Sequence, residues 1–220
     1  MIVVIGGTKG GTGKSTIATN LAVISAKAEY DTLLVETDPQ ESSADWVDTR
    51  EELNVQPRIN SVVKYGSSLR NELKVLSGKF QHIIVDAGGH DSDNFRSAIV
   101  VADILITPFK PSQFDTWTAS KIDRKVGEAK LINEQLRAYV IFNEVSPHPR
   151  MEDQAAASSF LTAELENFEL LDFNIKHRIA FQRVIGQGKS VVEAQPGDDK
   201  AAEEITTLYR FIFCGQKGRV

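Results

Sequence analysis

The sequence predicts an α/β fold: a doubly wound, mostly parallel sheet flanked by helices on both faces. Three observations lead there. Short β-branched apolar runs alternate with longer helix-like stretches, the runs are nearly continuously apolar instead of apolar on every second residue, and a glycine-rich turn joins the first run to the first helix. Continuous apolar character marks strands covered on both faces, and alternation with helices marks βαβ crossovers.

The elements follow in chain order. Residues 2–5, Ile-Val-Val-Ile, form the first strand, and residues 14–28 the first helix, with Ile17, Leu21, Ile24 and Ala28 at helical spacing. Further strands are expected at 32–36, 59–63, 82–85, 104–107 and 139–142, each a short apolar run. A helix is expected over 115–136, where Trp117, Ile122, Val126 and Ala129 share a face and Asp115 can cap the first turn. Helices over 151–166 and 199–213 close the chain. No repeat, low-complexity tract or linker interrupts this order, so residues 1–220 are expected to form a single domain.

Composition narrows the function classes. A hydrophobic fraction of 41% and a charged fraction of 25% are ordinary for a globular protein and exclude a disordered one. No run approaches the roughly 20 apolar residues of a membrane span. The short N-terminal run has no basic segment before it, so no signal peptide is expected and the cytoplasm is the expected location. The single cysteine, Cys214, leaves no partner for an internal disulfide or a thiolate cluster. A net charge of −5 gives no global attraction to nucleic acid, so any DNA contact has to be local.

Residues 8–16 read Thr8-Lys9-Gly10-Gly11-Thr12-Gly13-Lys14-Ser15-Thr16, between the first strand and the first helix. Glycines at 10, 11 and 13 allow positive φ and turn backbone N–H groups inward, where they and the helix N-terminus can solvate phosphate oxygens. Lys14 would reach the β- and γ-phosphates and the Ser15 hydroxyl would ligate Mg²⁺. The general phosphate-loop pattern G-x-x-x-x-G-K-[ST] has glycine where Thr8 stands. The same stretch brings a second lysine, Lys9.

In an open parallel sheet, ligands sit beyond the carboxyl ends of the strands, so the segments after each strand should converge on the nucleotide. Asp38, after the second strand, is a candidate to hold the attacking water, with a possible share in the metal site. Asp86, at the tip of the fourth, is the candidate to orient Mg²⁺, and Gly88 and Gly89 would let the following loop move. Pro111, in the Pro108-Phe109-Lys110-Pro111 turn, suits a rigid wall beside a nucleotide or a dimer contact. Asn143, just past the sixth run, carries an amide that can pair with an adenine edge. Between residues 176 and 189, Lys176, Arg178, Arg183 and Lys189 occur with no acid among them, the one stretch suited to DNA phosphates.

The string Lys9-Gly10-Gly11-Thr12-Gly13-Lys14-Ser15 resembles the deviant phosphate loop of the ParA/MinD superfamily, most like its short plasmid-partition members. Glu36-Thr37-Asp38-Pro39-Gln40 resembles the family's Asp-x-Asp-Pro-Gln switch, with Glu36 in place of the first aspartate, and Pro108 to Asp115 is similar to its Pro-x-x-Pro-Ser-x-x-Asp segment. Arg178 to Arg183 and Gly188 to Val191 look like the late basic region.

The resemblance implies a P-loop ATPase using ATP/ADP and Mg²⁺, with Lys9, Lys14 and Asp38 in catalysis, Lys9 crossing to a partner subunit's nucleotide. Residues 10–16 with Pro111 and Asn143 would bind the nucleotide, and Ser15, Asp38 and Asp86 the metal. It further implies an ATP-dependent homodimer that binds nonspecific DNA on the nucleoid and is stimulated by a centromere-binding ParB-like or ribbon-helix-helix partner. Whether the dimer polymerises is left open. With the loop inside the first ten residues, no N-terminal helix-turn-helix is expected.

Two other readings stay open in the sequence. One is a MinD-like membrane regulator using Leu208, Tyr209, Phe211, Ile212 and Phe213 ahead of Lys217 and Arg219, although these apolar residues are expected to dock the last helix on the core without stable membrane insertion. The other is a metabolic ATP-dependent ligase of the dethiobiotin-synthetase kind. The lone cysteine argues against the nitrogenase iron-protein branch.

Overall fold

A computed structural model describes residues 1–7, 9–88, 93–111, 116–146 and 151–215. Strands Ile2–Ile5 (β1), Thr32–Glu36 (β2), Asn60–Val63 (β3), His82–Asp86 (β4), Ile104–Phe109 (β5), Arg137–Val145 (β6) and Glu169–Lys176 (β7) form one sheet. Its order is β3-β2-β4-β1-β5-β6-β7, and every pairing is parallel. The helices are Lys14–Lys27 (α1), Ser42–Glu52 (α2), Leu69–Ser77 (α3), Asp93–Ile99 (α4), Thr116–Lys130 (α5), Met151–Glu164 (α6), Ile179–Ile185 (α7) and Asp199–Phe213 (α8).

Alternation along buried strands sends neighbours to opposite cores. Val4, Ile83 and Val85 join a core with Leu73 of α3, Phe95 of α4, Ile122 of α5 and Leu161 of α6. Val3, Ile5 and Ile84 join a second core with Leu21 of α1, Trp46 of α2, Val184 of α7 and Ile205 of α8. Helices α3 to α6 therefore cover one face and α1, α2, α7 and α8 the other. β1 lies between β4 and β5, so the chain leaving it enters the crevice where the connections diverge, the position at which such sheets bind ligands.

The expected fold class and the six expected strands are present. The seventh strand, β7, escaped the reading because it is an edge strand, only partly buried and carrying Asp172 and Asn174, so it shows no continuous apolar run. Four short helices, α2, α3, α4 and α7, also lacked a signal long enough to read. The helix expected over 115–136 stops at Lys130: Asn133 N bonds back to Ala129 O in a turn, leaving Leu131 85% and Ile132 61% exposed. The expected third helix stops at Glu164 instead of residue 166. Thr8, Gly89, the capping role of Asp115, and Lys217 and Arg219 lie outside the described residues, as does the side chain of Trp117.

Candidate nucleotide-phosphate site

Close packing at the end of β1 positions the loop. A β-carbon on Gly6 would sit 2.6 Å from the Phe95 ring, so only glycine lets the chain turn over α4 here. Gly11 and Gly13 then take left-handed conformations, φ +70° and +88°, which side-chain-bearing residues adopt at a penalty. Gly13 is the residue before α1, no side chain caps that helix, and its first turn carries no acid. Its first N–H groups are therefore available to an anion, where the helix dipole also favours negative charge.

Asn143 locks the loop from β6. Its Nδ2 donates to Thr12 O at 2.7 Å, and a β-carbon on Gly13 would collide with the same amide nitrogen. The next residue, Glu144, has φ +55°, and the β6–β7 register is irregular around it. Asn143 thus holds the phosphate loop with its nitrogen. It also borders a cleft beside that loop, shared with Gly13, Thr16, Ile175, His177 and Phe181.

Lys14 is buried, and its amine donates to Lys9 O at 2.9 Å. Burial holds its pKa below the ordinary lysine range, against the pull of Asp86, Asp38 and Glu36, which favour the charged form. Lys9 is half-buried in the first turn of the loop, close to Lys14 through this backbone contact.

Asp86 closes the site from β4, directly opposite Glu36 of β2 in the sheet register. Burial, and then the neighbouring Glu36, push its carboxyl well above the usual carboxylate range, while Ser15, Lys14 and Ser43 pull the other way. Its Oδ2 is buried and has no hydrogen-bond partner among the described residues. An orphaned buried carboxylate oxygen beside the Ser15 hydroxyl fits a divalent cation. Among the described residues no three His, Cys, Asp or Glu side chains are grouped so as to hold a metal ion by themselves. That sparse set suits Mg²⁺, which binds through one or two carboxylates plus phosphates and water.

Asp38 is half-buried in the segment after β2, its Oδ1 accepting from Gln40 N at 3.0 Å. A β-carbon on Gly88, in the segment after β4, would lie 3.0 Å from Asp38 Oδ2, so these two segments converge as the strand-tip argument requires. Pro111 is half-buried beyond β5, and Ser112 to Asp115 lie outside the described residues.

One of the four basic residues is paired within the fold. Arg178 forms a bidentate pair with Glu204 of α8, at 2.6 and 3.1 Å, with Asp198 at 3.9 Å, and Lys176 N also donates to Glu204. The local absence of acids was misleading because α8 supplies them from across the fold. Lys176 and Arg178 border the cleft beside the phosphate loop, whereas Arg183 is exposed on α7 and the backbone of half-buried Lys189 meets Trp46 of α2. Two residues that hold the site were not read from the sequence at all: Arg50 and Asn20. Asn20 bonds Thr16 O at 2.7 Å and accepts from Ser190 Oγ and Val191 N, tying α1 to the turn before α8. Neither belongs to a motif, and an arginine or asparagine inside a helix carries no outward sign of burial.

A parallel sheet with a glycine loop, an uncapped helix start, a buried lysine and a strand-tip aspartate defines a P-loop nucleotide-binding protein. Residues 3–191 match the CobQ/CobB/MinD/ParA nucleotide binding domain, and the chain belongs to that family. It is 23% identical over 202 residues to the maintenance of carboxysome distribution protein A of Halothiobacillus neapolitanus, covering 91% of this chain and 90% of that one. It is 26% identical over 207 residues to the protein ParA of Rhizobium radiobacter, covering 92% and 91%. Among solved structures, an ATP complex of McdA from Cyanothece has the same fold, with TM-score 0.77 at 17% identity over 98% of this chain and 97% of that one. No helix among the described residues is long and apolar enough to cross a membrane.

Proposed function

We propose that this chain is a ParA-type ATPase. It binds ATP with Mg²⁺, dimerises across the nucleotide, binds nonspecific DNA in that state and hydrolyses ATP slowly. A centromere-binding ParB-like or ribbon-helix-helix partner speeds hydrolysis, and hydrolysis releases the DNA. The observation that carries the reading is the loop itself: Lys14 buried among three carboxylates, with Lys9 five residues earlier in the same turn.

The residues divide the work as follows. N–H groups of Gly10 to Thr16 cradle the phosphates, Lys14 bridges β and γ, and Asn143 keeps the loop in shape. Ser15 and Asp86 would hold Mg²⁺, which when bound would supply positive charge against the phosphate oxygens. Asp38 accepts a hydrogen bond from water and aligns it with the γ-phosphorus. Lys9 adds positive charge to the nucleotide of the facing subunit, so the dimer is favoured only with triphosphate present, by differential affinity. Arg183, Lys189 and Lys176 provide the DNA contacts; Arg178 is left out because Glu204 neutralises it.

The buried positions of Leu208, Tyr209 and Ile212 on α8 support this reading over lipid binding, since they pack into the core with α1. One of the two relatives is named for the distribution of carboxysomes and the other is named ParA. We assign a DNA replicon as the cargo of this chain. Light scattering with ATP tests the central step: the wild-type chain dimerises and Lys9→Ala stays monomeric. An ATP dimer of Lys9→Ala overturns it. DNA binding by the ATP form should weaken steeply with salt, and binding indifferent to ionic strength removes the DNA role.

A further inference from the structure

The segment that runs from the end of β2 into the first turn of α2, residues 37–43, carries Asp38 and is held from two sides. From the sheet, the buried Glu36 carboxylate accepts from Asp38 N at 2.7 Å through Oε1, and from Ser43 N at 2.9 Å and Ser43 Oγ at 2.7 Å through Oε2. Both oxygens of Glu36 are thus engaged by the segment itself. From outside, the Tyr65 hydroxyl donates to Glu41 Oε1 at 2.7 Å and lies 3.3 Å from Asp38 O. Asn94 adds a third tie, Nδ2 donating to Thr37 O at 3.2 Å. Between these ties Glu41 sits at φ +52°, a conformation that persists only where neighbours enforce it.

Reach explains why a glutamate stands at position 36. One carboxylate must span from the strand tip to the first turn of α2, and an aspartate is one methylene short of bridging Asp38 N and Ser43 together. We infer that Glu36 and Tyr65 are positioning residues for Asp38: Glu36 fixes the backbone of Asp38 relative to the sheet, and Tyr65 closes the opposite side of the segment. Neither touches the reacting atoms. This inference rests on the ATPase reading above and on Asp38 aligning the water.

The test compares ATP hydrolysis at saturating ATP with ATP affinity measured by equilibrium titration, in the full chain. Tyr65→Phe and Glu36→Gln lower kcat by roughly tenfold, as a sub-ångström displacement of an aligning group does, while the ATP Kd stays within about twofold. Ser43→Ala lowers kcat likewise, and Ser43→Thr, which restores the hydroxyl, recovers most of it. In an Asp38→Asn background Tyr65→Phe has no further effect on kcat, because the group it positions has gone. A loss of affinity with kcat unchanged, wild-type kcat in Tyr65→Phe, or additive losses with Asp38→Asn overturns the inference. Tyr65 is 39% exposed, so its variant decides the matter even if Glu36→Gln does not fold. If the wild-type chain hydrolyses no ATP, the functional reading falls and the inference with it; hydrolysis that the variants leave intact sinks the inference alone.

Discussion

Arg50 and Glu193 stand 143 residues apart in sequence and form a bidentate ion pair at 2.7 and 2.9 Å, with side chains 1% and 8% exposed. Arg50 also donates to Pro57 O and Gly188 O, so one guanidinium fastens α2, next to the Asp38 segment, to the turn that precedes α8. Removing one member of a buried pair strands the other charge. Glu193→Ala is therefore expected to lower unfolding free energy by about 3 kcal/mol, read from urea denaturation. Arg50→Met combined with Glu193→Leu should recover part of that loss, since no charge is then stranded but the two carbonyls still lack their donor. A double variant as unstable as Glu193→Ala would show that the loss is one of packing and not of charge.

Gly88 and Asp38 meet with no room to spare. An alanine methyl at 88 would press on Asp38 at 3.0 Å from Oδ2 and 3.1 Å from Cγ, and a short side chain cannot swing clear without moving its backbone. Gly88→Ala should slow ATP hydrolysis roughly tenfold through the displaced carboxylate, with ATP affinity nearly unchanged. Single-turnover hydrolysis alongside nucleotide titration separates the two effects. An equal fall in affinity would place the damage at the phosphate loop instead.

The sheet was legible because β1, β2, β4, β5 and β6 are buried on both faces and so write their apolar runs continuously, as Ile83-Ile84-Val85 does. The phosphate loop was legible because its glycines and lysine are adjacent in sequence. The rest depends on contacts made at long range. Arg178 looked like a surface cation until α8 brought Glu204 to it, and Glu36 read only as a replacement for the switch's first aspartate until Ser43 and Asp38 took both its oxygens. Asn143 could be expected near the nucleotide, at the adenine edge, from its place at the carboxyl end of an apolar run. That its nitrogen would hold Thr12 could not, because the left-handed residue beside it, Glu144, has no glycine to mark it.

The Asn143–Thr12 bond gives a direct expectation. Asn143→Ala leaves a buried carbonyl without its donor and frees the loop between Gly11 and Gly13, at a cost of about 1–3 kcal/mol for the unpaired group. In the free chain the loop can relax and hydrate that carbonyl, whereas binding must reorder it, so most of the cost falls on the ATP-bound state and ATP affinity should weaken by roughly tenfold and not more than about a hundredfold. Equilibrium titration with a fluorescent ATP analogue measures this. Unchanged affinity would mean that the loop keeps its shape without β6.

His82 sets a dependence on pH remote from the nucleotide. Its Nδ1 is 2.7 Å from Ser25 Oγ, and its ring lies between Tyr30 and Phe213 with centroids 4.3 and 4.2 Å away, so it ties β4 to the end of α8. Burial, with a smaller push from the Met1 ammonium, lowers its pKa from 6.5 to about 4. The folded chain therefore keeps the ring neutral where the unfolded chain already binds a proton. Its contribution to stability is complete above pH 6.5, is lost as the pH falls from 6.5 towards 4, and falls no further below that. Allowing for screening at the ring edge, the loss is about 1–2 kcal/mol. His82→Phe keeps the aromatic contacts and removes the titration, so its stability should change less than that of the wild type between pH 7 and pH 5. Carboxylates act alike in both proteins and cancel in the comparison. Parallel urea midpoints for the two proteins across that interval would refute the assignment, because no other difference between them binds a proton there.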